Sequence, residues 1–88
     1  MISEFVKITN PTGFDLNPAG ELCKKAMNYK CQITFTYGKG NIANAKSVLS
    51  VLGACVKAGD EIILRCDGED EEIAMQDLIA FIEKGIEV

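Results

Sequence analysis

Two stretches of this chain alternate apolar and polar residues one by one, and that alternation limits the fold more than any other feature. In QITFTY, residues 32–37, Ile33, Phe35 and Tyr37 point one way and Gln32, Thr34 and Thr36 the other. In DEIILRC, residues 60–66, Ile62, Leu64 and Cys66 share one face while Glu61 and Arg65 take the opposite one. SEFVKIT, residues 3–9, sets Val6 and Ile8 on one side, and NIAN after the turn-forming GKGN predicts a short return strand. Strands that are dry on one side and wet on the other belong in an antiparallel sheet with one covered face.

The cover is written at a helical period. Between residues 17 and 28, Ala19, Leu22, Cys23, Ala26 and Met27 form an inward stripe, leaving Glu21, Lys24 and Lys25 wet. Pro18 suits the first position of that helix. A short helix is predicted over 47–53 with Ser47 as its N-cap. A last helix starts in DGEDEE and carries Ala74, Met75, Leu78, Phe81 and Ile82 as a broad apolar stripe. The order is βαββαβα, an α+β fold with a four-stranded antiparallel sheet and helices on one face. With 88 residues, 48% of them hydrophobic, the chain has material for one core, and a single domain over residues 1–88 is expected. Folding would leave about 5,000 Å² exposed out of about 14,000 Å² for the extended chain.

Charge and composition remove several functions. A net charge of −4 with nine scattered Lys and Arg leaves no basic surface for nucleic acid. No apolar run is long enough to cross a bilayer, and MISEFVKIT does not resemble a signal peptide, so a cytoplasmic location is expected. Cys23, Cys31, Cys55 and Cys66 are widely separated and histidine is absent, so neither zinc nor another metal is expected. All four thiols are expected to be reduced and at least half-buried. The run Glu69, Asp70, Glu71 and Glu72 is read as a solvated helix start, stabilised by the positive end of the helix dipole.

GFDLNPAGE, residues 13–21, is a turn that runs into a helix, with Asp15 where free backbone N–H groups point outward. Either Asp15 or Asn17 serves as cap there. GFDLNPA, NAKSVLSVL and GEDEEIAMQDL, taken with the element order, resemble HPr, the small phosphocarrier of the bacterial phosphoenolpyruvate-dependent sugar phosphotransferase system. The resemblance spans the whole chain and implies an open-faced β-sandwich with three helices over four antiparallel strands. In that family the position matching Asp15 is a histidine that takes phosphate from Enzyme I, and the position matching Asn17 is an arginine that stabilises it. Both are replaced here, while Gly13, Pro18 and Ala19 remain. A chain without histidine is not a phosphohistidine carrier.

Ser47 matches a serine that the HPr kinase/phosphorylase modifies in many relatives, and without the resemblance it would be read only as a cap. Val48, Leu49 and Leu52 match an apolar docking patch, which Phe14 and Leu16 are expected to extend and to which Gly20 would give close access. The resemblance therefore implies a regulator of the Crh kind, which also lacks the acceptor histidine. Such a protein is phosphorylated on Ser47, needs no cofactor, and binds a LacI-type catabolite control regulator. Two alternatives stay open: a carrier that takes phosphate from Enzyme I on Asp15, and an unmodified protein-binding module.

Overall fold

The computed structural model describes residues 1–86. Along the chain run β1 (Ile2–Lys7), α1 (Leu16–Ala26), β2 (Gln32–Tyr37), β3 (Asn41–Asn44), α2 (Val48–Gly53), β4 (Glu61–Asp67) and α3 (Glu71–Glu83). The strands form one antiparallel sheet in the order β1-β4-β2-β3, with the three helices on one face. Register follows the alternation: Val6 lies opposite Ile62, Phe35 opposite both Leu64 and Ala43, and Ile33 opposite Cys66. A slip of one residue would turn all of these to water.

These side chains meet Leu22 of α1, Val51 of α2, and Leu78 and Ile82 of α3 in a water-free layer. Each large apolar side chain gains about 1.5–3 kcal/mol on burial, whereas a hydrogen bond nets about 1. This layer therefore decides the fold. The folded surface is 5252 Å², close to the expectation for a well-packed chain of this size.

Three local expectations are corrected. α1 begins at Leu16 with Asp15 as its N-cap, so Asn17 is not the cap and Pro18 occupies the third helical position, not the first. Proline is tolerated there because the first four helical N–H groups have no acceptor within the helix. Met27, expected inside, is the C-cap residue and is exposed, since the helix ends before its stripe comes round again. Phe81 is only half-buried, at the rim, with the Lys25 ammonium 5.2 Å from its ring centre.

The acidic run does more than face water. Asp70 makes no side-chain cap bond to its own helix. Its carboxylate instead accepts from the backbone N–H groups of Lys30 and Cys31, at 2.8 and 2.9 Å, tying the start of α3 to the entrance of β2. Glu71 accepts from the N–H of Gly68 at 3.0 Å. Donation from Lys30 holds the Asp70 carboxyl below its ordinary pKa of 3.8.

A depressed folded-state pKa contributes stability above the ordinary value, and that contribution is lost as pH falls through the lower, folded value. Urea midpoints measured from pH about 6 to about 2 should therefore fall less steeply in Asp70→Asn than in the parent below the ordinary carboxylate value. Parallel curves would show that the clamp is not formed in solution.

Candidate functional site

The turn before α1 is held from behind. Gly13 has φ +64°, and a Cβ there would lie 2.4 Å from the carbonyl oxygen of Val56. Only glycine combines this left-handed backbone with so close an approach. The N–H of Phe14 donates to the same carbonyl at 2.9 Å, and the amide of buried Asn10 donates to the carbonyl of Gly13. The turn is thus fastened to the segment after α2 before α1 begins.

That fastening fixes Asp15. Its backbone is extended (φ −79°, ψ −179°), its side chain is exposed, and Oδ1 accepts from the N–H of Leu16 at 2.9 Å. Its carbonyl accepts the first intrahelical bond, from Ala19 at 2.8 Å. No ion pair to Asp15 exists among the described residues. Asn17, at the second helical position, is exposed and supplies no positive charge. The carboxylate thus fills with a fixed negative charge the place at a helix start where an incoming anion would sit.

Ser47 caps α2. Its oxygen accepts from the N–H of Ser50 at 3.3 Å, and its carbonyl accepts from Val51 at 3.0 Å. The Ser50 hydroxyl oxygen in turn accepts from Asn44 N–H at 2.8 Å, and the Asn44 side chain from Lys46 N–H at 2.9 Å. The approach to α2 and its first turn are thereby held in place by four short-range bonds. Among the described residues the Ser47 O–H itself meets no protein acceptor, and the residue is half-buried.

α1 packs against α2, with the start of α1 held by the segment that follows α2 and the approach to α2 tied through Lys46 to the carbonyl of Tyr29, just after α1. The expected apolar patch is narrower than the sequence implied. Leu49 is 82% exposed and Leu16 63%. Val48 and Leu52 are half-buried and rest against the core. Phe14 does not belong to the surface at all: it is 3% exposed and packs edge-on against Phe35, ring centres 5.4 Å apart. The bond to Val56 turns its side chain inward. Gly20 is half-buried, and a Cβ there would meet nothing within 4 Å.

Chemistry elsewhere is limited. Burial pushes the Cys66 thiol up to about 12, and burial followed by Asp70 raises that of Cys31, so both remain protonated. Cys55, expected to be covered, is exposed at φ +54° directly after α2. No group of three or more Cys, Asp or Glu among the described residues is placed to hold a metal ion. None of the described helices is long and apolar enough to cross a membrane. Alternation and helical periods carry no signal for the Asp70 clamp or the Asn10 tie, because each joins residues remote in sequence or irregular in backbone.

Comparison with known proteins places this geometry. Residues 2–84 match the family model PTS-HPr, described as the PTS HPr component phosphorylation site. The HPr-like protein Crh of Halalkalibacterium halodurans is 34% identical over 84 residues, covering 96% of this chain and 99% of that protein. Crh of Bacillus subtilis is 28% identical over 98% of this chain and its own entire length. The crystal structure of HPr-C-His from Thermoanaerobacter tengcongensis superposes with a TM-score of 0.92 at 30% identity, covering 100% of this chain and 99% of the other.

Two substitutions probe how the turn is built. Gly13→Ala should lower stability by about 1–3 kcal/mol, from positive-φ strain together with the clash at Val56. Asp15→Ala should cost about 1 kcal/mol or less, and Asp15→Asn almost nothing, since asparagine caps equally well. Urea unfolding monitored by circular dichroism reads both, and a large loss in Asp15→Asn would mean that the charge itself holds the turn.

Proposed function

Because the chain belongs to the HPr family of the sugar phosphotransferase system, whose members are carriers and regulators and not enzymes, we propose that it acts as a Crh-type regulator. In this reading the HPr kinase/phosphorylase transfers the γ-phosphoryl group of ATP to Ser47, releasing ADP. The modified protein then docks on a LacI-type catabolite control regulator. The observation that carries the reading is a contrast between two helix starts. At the first, Asp15 stands at the acceptor position and caps the helix, and it makes no ion pair among the described residues. At the second, the Ser47 hydroxyl keeps its proton free of protein acceptors and lies two residues from exposed Leu49.

Phosphorylation at Ser47 adds about −1.5 to −2 charges at neutral pH and strong acceptor oxygens. Leu49 and the outer parts of Val48 and Leu52 then stand on the same short helix as a dianion, with Leu16 exposed on the neighbouring α1. That combination suits a partner presenting arginine or lysine around an apolar recess. Gly20 leaves the neighbouring face of α1 uncrowded for such a partner.

Incubation with the serine kinase and ATP, and separately with Enzyme I and phosphoenolpyruvate, followed by mass spectrometry, tests the assignment. Phosphate on Ser47 alone, absent in Ser47→Ala, is the expected result. A hydroxylamine-labile adduct on Asp15 would make the protein a carrier, and no phosphate in either reaction would make it an unmodified binding module. Leu49→Ala should weaken binding of the phosphorylated protein to the regulator by about tenfold, the loss expected for an exposed leucine that becomes buried in the complex.

A further inference from the structure

The uncovered face of the sheet carries an apolar band that the surface around α1 and α2 does not use. Strand register places Phe5, Ile63, Thr36 and Ile42 in one row across all four strands. Phe5 is 70% exposed and Ile42 66%, and Ile63 and Thr36 between them are half-buried. Along β4, Glu61 and Arg65 stand on the same face as Ile63, one on each side of the row. Neither makes an ion pair among the described residues.

We propose that this face binds a second copy of the chain, sheet against sheet, about a two-fold axis lying along the Phe5–Ile63–Thr36–Ile42 row. Rotation about that axis lays the apolar row on itself. It also carries Glu61 to a position opposite Arg65 of the partner subunit, and Arg65 opposite Glu61 of the partner subunit. Two charges left unpaired in one copy are satisfied twice in the pair. Sheets packed face to face lie about 10 Å apart, a gap that glutamate and arginine side chains span together.

Charge explains why a like-charged copy is accepted here. The whole chain carries −4, yet this face is balanced: Lys7 and Arg65 offset Glu61 and Asp67. It is a surface on which two acidic copies can meet without strong local repulsion. Its size sets the strength. Strands about 4.8 Å apart and about 3.3 Å per residue give a footprint of about 300–400 Å² per copy. Counted over both copies, about 600–800 Å², it stays below the total of about 1,200–2,000 Å² found in stable complexes, so the dimer is weak and fast-exchanging.

The test is a concentration series of the isotopically labelled full chain by NMR, from about 20 μM to about 1 mM, the range in which a weak dimer titrates. Shifts should move at Phe5, Ile63, Ile42 and their strand neighbours. Glu61→Arg alone and Arg65→Glu alone each set like charges opposite one another twice, and should weaken association at least about tenfold. An equal mixture of the two variants pairs the charges again, and should associate within about threefold of the parent. Concentration-independent spectra overturn the proposal. So do shifts centred on Leu16 and Leu49, a slowly exchanging dimer, or a mixture no stronger than either variant alone.

Discussion

β4 lies between β1 and β2 and hydrogen-bonds to both, and its alternation settles what every other element must do. Ile62, Leu64 and Cys66 face one way with essentially no exposure, so Val6, Ile33 and Phe35 are drawn to the same side by register. Once that face is apolar it has to be covered, and only the helices are available to cover it. Glu61, Ile63 and Arg65 then necessarily face water. The open face is the physical consequence of a sheet that has helices for one side only.

The same arrangement accounts for the site. β1 leaves the sheet at Lys7 and the chain must return over the core as α1, so its turn lies against the segment that follows α2. Gly13 and the Val56 carbonyl make that return tight. A tight return leaves the first N–H groups of α1 facing outward, a place that attracts negative charge. An imidazole there can carry phosphate for a time and give it away. A carboxylate supplies the negative charge permanently, and satisfies a backbone donor while doing so.

Much of this was legible in the residue pattern. The alternation of QITFTY and DEIILRC specified the inward faces, and the stripe Ala19–Leu22–Ala26 specified the buried side of α1, since burial depends on a local repeat. Ser47 was legible as a cap because capping is a short-range bond. Phe14 was not, because a single aromatic in a turn has no period. Its direction depends on a hydrogen bond to Val56, which is distant in sequence. Met27 and Phe81 were misplaced where a helical stripe ran past the end or edge of the element that it described. Asp70 was legible as an acidic residue at a helix start but not as the clamp on Lys30 and Cys31, which lie 40 and 39 residues away.

By itself, then, the order of residues determined which faces avoid water, that Ser47 caps the short helix, and that no imidazole exists to hold phosphate. These depend on neighbours within a few positions, or on composition alone. Only the folded chain decided that Phe14 belongs to the core, that Leu16 and Leu49 stand out on the surface of two packed helices, and that Phe5, Ile63 and Ile42 line up across the open face. Those outcomes depend on strand order and on hydrogen bonds between distant segments, and both exist only after the sheet has closed around β4.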